Sequence, residues 1–526
     1  MGKTKSKAVI HLKSALARIT LTPHTLAFFL LSVIHCLAQG LTAAFVYSED
    51  ASTFAFVDNI LHTAQVPRNE VARLFRSGDD LTLKLCTAAP IGDVYKECTT
   101  IWDTSMTMNA TGTLTPRFFD TKDHITRRSL DTGSLVPVRD PSSGEVTGVE
   151  LTYNGDNSVL LSEQCARMLE YPGRILDNSQ REDLALVGSQ FWLLGVSTFG
   201  ILYNSIPHIW AVVFARVLQT AWAAYTIWRT EDVKFRYRTL IVGNGTPCHF
   251  DVMPSYFTTR LALQIPELVL NVTALLSTSF LAWHIVRGYS SATIRRVMPA
   301  PQVMRQYKFF LIDSMFLQLS LFFTVTAISL WIDQLRNSEI ALLAQRSPLY
   351  YALFIFTIVT IVPWIVMGWF SVRREMKWLI AAFLFLNLCY IVGWGVMFYS
   401  QVYLWTFIEW PFFGCTTIVS FMVLIGAMVF GVICWTGFGK GLAHYLHVEA
   451  VLTESDFDPD VFTNDTEKAS NKAASPVIRC PSALSDPSEG VSVIKKDGNW
   501  DFADVDRPAI YTVDFYDQKS TSSSLP

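Results

Sequence analysis

Six long, almost uncharged apolar blocks restrict what this chain can fold into: roughly His24–Val46, Ile265–Val286, Phe309–Ile332, Tyr350–Phe370, Trp378–Ser400 and Phe412–Trp435. An α-helix rises about 1.5 Å per residue, so a hydrocarbon layer of about 30 Å calls for about 20 consecutive apolar residues. Backbone N–H and C=O groups cannot be left unpaired in lipid, which leaves helices and closed barrels as the only spanning forms. The blocks are continuous and do not alternate, which selects helices.

A further run, Leu184–Trp228, is too long for one span and is interrupted by Asn204-Ser205-Ile206-Pro207-His208. Ser or Asn suits a helix cap and Pro suits the first turn after it. The run therefore reads as two spans, about Val187–Tyr203 and Pro207–Trp228, joined by a tight turn. That makes eight.

Charge in the joints tests the count, because cytoplasmic joints favour Lys and Arg. The first 22 residues carry Lys3, Lys5, Lys7, Lys13 and Arg18 and no acid. The joint Arg287–Lys308 carries Arg287, Arg295, Arg296, Arg305 and Lys308, and Val372–Lys377 carries Arg373, Arg374 and Lys377. Eight spans put all three on one side, with both termini cytosolic. One joint, Arg229–Leu261, then faces away despite its own Arg and Lys residues.

The first block also has the shape of a cleaved signal peptide, with a core at Leu26–Leu37 followed by Ala38, Gly40, Ala43 and Ala44. Cleavage would leave seven spans and an outer N-terminus, the topology of a heptahelical receptor, although no D-R-Y or N-P-x-x-Y motif sits where such receptors carry it. A long basic lead-in and the continuation to Val46 favour a retained anchor.

The expected fold is an all-α polytopic membrane bundle with a small α+β exocytoplasmic domain and a disordered cytosolic tail. Its parts are a basic cytosolic N-terminus (1–23), the first span or signal anchor (24–46), the exocytoplasmic domain (47–186), a seven-helix bundle (187–435) and an acidic tail (436–526). The outer domain is large enough to hold a core of its own. Alternation at Leu81–Leu85 and Val146–Tyr153 predicts strands, Asp140-Pro141 and Asn154-Gly155 predict turns, and Ser158–Glu170 reads as a helix. In an oxidising compartment Cys86 and Cys98 can pair, and Cys165 is left for Cys248, the one other cysteine in an outer joint. Asn109 and Asn244 open sequons on that same side, which makes a glycoprotein the expectation.

From residue 449 the chain holds fifteen acids against seven Lys and Arg. Such a segment cannot bury enough apolar surface to fold alone. Its aromatic patches, Phe457–Phe462 and Tyr511–Tyr516, are candidate docking points for a cytosolic partner.

Ionisable groups at bilayer depth are expensive and default to functional candidates. Arg216 is deepest, with Gln219 and Thr220 on its face of the helix; Glu267 lies near the outer end of the next span, and Asp313 lies near the inner end of the one after. The first reading is that neighbouring carbonyls satisfy Arg216 while the residues near the span ends snorkel; the alternative is an Arg216–Asp313 or Arg216–Glu267 pair lining a polar pathway. No phosphate loop, nucleophile elbow, H-E-x-x-H or Cys-x-x-Cys motif is present, so no enzyme activity, cofactor or metal is expected. Basic joints are explained by topology and anionic lipid, not nucleic acid.

Five short motifs are spaced along the apolar part of the chain: Ser205-Ile206-Pro207-His208, Leu330-Trp331-Ile332-Asp333-Gln334-Leu335, Gly368–Glu375, Gly393-Trp394-Gly395-Val396-Met397-Phe398 and Phe438-Gly439-Lys440-Gly441-Leu442. As a set they resemble a family of uncharacterised multi-spanning membrane proteins of mushroom-forming fungi. The resemblance runs from about Phe191 to Leu446, implies a membrane location, and carries over no activity and no site residue. The functional expectation is a receptor-like or scaffold protein of the plasma membrane or secretory pathway, its outer domain binding an unknown ligand. The alternative is a transporter or channel built around Arg216.

Overall fold

The computed structural model describes residues 15–67, 70–78, 80–89, 91, 98–104, 134–153, 157–243, 245–297, 300–338, 340 and 347–454. Asn109, Asn244, both aromatic patches of the tail and the basic lead-in before residue 15 lie outside the described residues.

The protein is mostly helical. Helix α1 is Pro23–Thr63, α2 Glu163–Leu202, α3 Ile206–Tyr237, α4 Tyr256–Val297, α5 Pro301–Asn337, α6 Ser347–Arg373, α7 Lys377–Met397, α8 Gln401–Glu409, α9 Pro411–Thr436 and α10 Leu442–Glu454. Seven of them (α1, α2, α4, α5, α6, α7 and α9) are long and apolar enough to cross a membrane. Expected as an eighth span, α3 has the length at 32 residues, but Arg216, Gln219, Thr220 and Arg229 keep it out of that set.

Two helices overrun their apolar blocks. At 41 and 40 residues, α1 and α2 are each about 60 Å long, twice a hydrocarbon layer. The boundaries expected after Val46 and before Val187 are therefore not helix ends. Past Val46, α1 keeps one buried stripe, Asp50, Thr53, Val57 and Ile60, at helical spacing. The charged approach to α2, with Asp177, Arg181, Glu182 and Asp183, is equally helical because α5 and α3 supply partners. Arg181 pairs with Asp177 at 2.7 Å and with Asp333, and Gln334 donates to Asn178 at 2.5 Å.

Between α1 and α2 the chain builds two antiparallel three-stranded sheets. The first is β1 (Val71–Ser77), β2 (Asp80–Cys86) and β3 (Cys98–Asp103); the second is β4 (Leu135–Arg139), β5 (Val146–Tyr153) and β6 (Asn157–Ser162). In β2 the alternation expected from sequence buries Leu81, Leu83 and Leu85 on one face. The helix expected over Ser158–Glu170 starts late, because Ser158–Leu161 pair with β5. Ser162 Oγ then accepts from the Cys165 N–H at 3.2 Å and caps α2. β5 and β6 approach closely at Gly148, where a Cβ would stand 2.5 Å from the Leu161 carbonyl oxygen. At the β4–β5 turn, Asp140 Oδ1 accepts from the Ser142 N–H at 2.9 Å and from its hydroxyl at 2.8 Å, which holds that carboxyl below the ordinary Asp range.

These sheets form a cap without a core of its own. Leu83, Trp102, Leu151 and Leu161 pack in one cluster with Val57 and Ile60 of α1, Met168 and Leu169 of α2, and Tyr237, Phe250 and Tyr256 around the start of α4. The described residues accordingly fall within one compact unit. Polar ties hold the cap down: Glu170 of α2 accepts from the Ala72 N–H at 2.9 Å, and Arg73 pairs with Glu409 of α8 at 3.2 Å. Cys86 and Cys98 are directly opposed on β2 and β3 and are bonded, with Cα atoms 4.2 Å apart. Cys165 is bonded to Cys248 and ties the head of α2 to the segment between α3 and α4.

At the end opposite the cap, the α6–α7 turn carries Glu375, whose carboxylate accepts from the Gly439 N–H at 3.0 Å and the Ala443 N–H at 3.2 Å. Gly439 and Gly441 both take positive φ there, which explains the Gly-Lys-Gly spelling before α10.

Candidate functional site

Helices α1, α2, α3 and α4 pack together and enclose a column of polar side chains. Each helix contributes buried polar side chains, those of α3 being Arg216, Thr226 and Thr230. On α1 they are Ser32, His35, Gln39 and Asp50; on α2 Ser179, Glu182, Asp183, Ser189 and Gln190; on α4 Arg260, Gln264, Glu267 and Asn271.

The cap end of the column is ionic. Asp50 is fully buried, pairs with Arg260 and accepts from the Tyr256 hydroxyl at 2.9 Å. Arg260 also donates to that hydroxyl at 2.6 Å, and Asp183 faces the same pair. Beside it Glu182 accepts from Trp222 Nε1 and Arg229, both at 2.8 Å, and Arg229 reaches Ser179 Oγ at 3.2 Å. Thr230 donates to Gln264 at 2.9 Å. Desolvated ion pairs of this kind are tolerated only with such additional hydrogen bonds.

Deeper, the polarity becomes neutral and then cationic. Gln39 Nε2 donates to Glu267 at 2.8 Å, and Gln219 Nε2 donates to Ser189 Oγ at 2.7 Å. One turn further along α1, His35 Nδ1 lies 2.9 Å from an Arg216 guanidinium nitrogen, with Gln190 beside the ring. A guanidinium has only donors, so Nδ1 accepts and the imidazole is neutral with its proton on Nε2. Arg216 is 2% exposed, and the only hydrogen-bonding partner of its guanidinium among the described residues is this neutral ring. Beyond it an apolar plug of Phe28, Leu193, Val196, Ile209 and Val212 closes the column.

Neither pair expected for Arg216 forms. Glu267 is on the column but is held by Gln39, nearer the cap. Asp313 is elsewhere, on α5 near Cys434 of α9, buried, with neither oxygen hydrogen-bonded among the described residues. The four sequence candidates thus divide: Arg216, Gln219 and Glu267 come together along one column, and Asp313 does not join them. His35, Gln39, Asp50 and Asp183 were not singled out by the sequence, yet the 3.6-residue spacing of Ser32, His35, Gln39 and Asp50 on one face of α1 is a readable signal.

Several polar atoms inside the column make no hydrogen bond among the described residues: Gln39 Oε1, Asp183 Oδ2 and Arg216 Nε. Buried polar groups are normally paired, and such exceptions gather at sites with a purpose. Among the described residues no group of three or more His, Cys, Asp and Glu is placed to hold a metal ion. No family model, curated protein or solved structure matches the chain.

Proposed function

We propose that this is an eight-span protein of the plasma membrane or secretory pathway, with its cap outside and both termini in the cytosol. On this reading it is receptor-like or a scaffold: the cap binds an exocytoplasmic ligand and the acidic tail serves a cytosolic partner. The observation that carries it is the continuity of α1 and α2, each running unbroken from the cap core into the bundle. A tilt of the cap on binding a ligand has to move the helices that frame the polar column.

Three features support the topology. Arg287, Arg373, Arg374 and Lys377 all lie at the end opposite the cap, as the rule for positive cytoplasmic joints requires. Both disulfides are at the cap end, which suits an oxidising side. Because Cys165 heads α2 and is bonded to Cys248 beyond α3, the chain must return along α3 the whole distance it descended along α2. The resemblance to multi-spanning fungal membrane proteins points the same way and adds no activity.

A second reading, a transporter or channel, is favoured by the unpaired polar atoms around Arg216 and Gln39. Purified full-length protein in proteoliposomes, loaded with proton- and halide-sensitive dyes, separates the two. The receptor-like reading expects no flux above protein-free vesicles. Saturable flux that disappears in Arg216→Leu, while the variant still elutes as a single species, would overturn it.

A further inference from the structure

A groove of about 700 Å³ lies between α2 and α3 on one side and α5, α8 and α9 on the other. Cavities that hold single small ligands span about 300–1,000 Å³. It meets the polar column only at the Gln219–Ser189 pair, which lines both, and it owes nothing to the cap-sensing reading.

Its depth is fixed by the helices that wall it. From Pro411, where α9 starts at the cap end, to Val419 at the deep end of the groove is about 12 Å of helix. The groove therefore sits in the cap-side half of a hydrocarbon layer about 30 Å thick. It opens sideways, where Ala221 of α3 and Cys415 and Ile418 of α9 are exposed. Protein interiors are close-packed, and an apolar void of this size is not filled by water, which needs polar partners. The surrounding lipid is the only material at hand.

The lining narrows the class. No charged side chain is among the lining residues, so nothing there receives a phosphate or an ammonium headgroup. Among the lining residues Gln219 and Ser189 are the one pair of polar side chains hydrogen-bonded to each other, which suits a single hydroxyl. Stacked Trp192 and Phe322, ring centres 4.8 Å apart, form the deep end, and Trp222 against Phe412 at 5.1 Å forms the end near the cap. Flat, rigid aromatic surfaces favour a flat, rigid ring system over two flexible acyl chains, which would lose more conformational freedom.

We propose that this groove binds one sterol, its rings between the two aromatic pairs, its hydroxyl on Gln219 and Ser189, and its tail leaving past Ala221 and Cys415 into the bilayer.

The test uses full-length protein in phospholipid nanodiscs and two photoreactive probes, a diazirine sterol and a diazirine phosphatidylcholine. The sterol probe is expected to label peptides containing Ala221 and Cys415 saturably and to be competed by unlabelled sterol. Ala221→Trp, which plugs the opening, should lower labelling about tenfold or more. Gln219→Leu should lower it about fivefold, the worth of one hydrogen bond. Alkylation of the exposed Cys415 in the unmutated protein gives a check that needs no variant to fold: sterol added to sterol-free nanodiscs should slow it severalfold. Equal labelling by the phosphatidylcholine probe, labelling indifferent to both substitutions, or a Cys415 alkylation rate unchanged by sterol overturns the proposal.

Discussion

Arg216 is the residue whose surroundings the sequence least foretold. Its position at bilayer depth was plain from the apolar residues on either side, but its partner lies 181 positions earlier in the chain. Pairings of that kind depend on which helices become neighbours and in what register, and hydropathy carries neither. Neighbouring backbone carbonyls, or failing them a carboxylate, were the expected partners, since burying an unpaired charge is expensive. His35 serves instead because a neutral imidazole accepts a hydrogen bond from a guanidinium without adding charge of its own. Glu375 is the opposite case, a residue on a turn whose work is local. By accepting from two backbone N–H groups it holds the Gly-Lys-Gly segment against the α6–α7 turn. Glu375→Ala should loosen that segment by about 1–2 kcal/mol, or roughly five- to thirtyfold in the open population. Limited trypsin digestion at Lys440 should speed up accordingly, with Glu375→Gln in between. An unchanged digestion rate in Glu375→Ala would show that the contact does not hold α10.

At the scale of elements, apolar blocks located the membrane part of each helix and misplaced its ends. Hydropathy reports where lipid begins, whereas a helix stops where its hydrogen bonds and packing stop. The two coincide for α7 and α9, which end close to their blocks at Met397 and Thr436. They diverge for α1 and α2, where charged turns continue because Asp50 meets Arg260 and Arg181 meets Asp333. Period-two alternation exposed β2 and β5 but gave no warning that β6 would take the residues assigned to a helix, since Ser158–Leu161 is apolar and polar in no decisive order. The disulfides act at this scale as well. Replacing Cys165 and Cys248 together by Ala should cost about 2–5 kcal/mol, and more than the corresponding Cys86 and Cys98 replacement, because the longer loop restrains the unfolded chain more. Thermal unfolding of the two double variants in the same detergent measures the order. The reverse order would mean that the α2–α4 tie is incidental to stability.

For the whole molecule, the decisive question is whether α3 crosses the membrane. Arg216 and Arg229 lie within it, and it is the long helix of the bundle whose composition alone does not commit it to lipid. Helices α2, α4 and α5 all pack against it, which is the arrangement the proposed eight-span topology needs. Single cysteines introduced at Ser142 in the cap and Asn204 in the α2–α3 turn give the test. A membrane-impermeant maleimide applied to intact cells should reach Ser142→Cys at once and Asn204→Cys only after permeabilisation. Labelling of Asn204→Cys from outside would remove the eight-span arrangement.

The bond from Cys165 to Cys248 also has a consequence for how the protein is made. It closes α2 and α3 into a covalent ring, and in the proposed eight-span topology that ring can be sealed only once both sulfurs stand on one side of the bilayer. A hesitant α3 that slipped back toward the ribosome would carry Cys248 away from the oxidising machinery. On the proposed topology oxidation would act as a latch on insertion: chains that complete the hairpin are fastened in it, and chains that do not complete it keep both thiols.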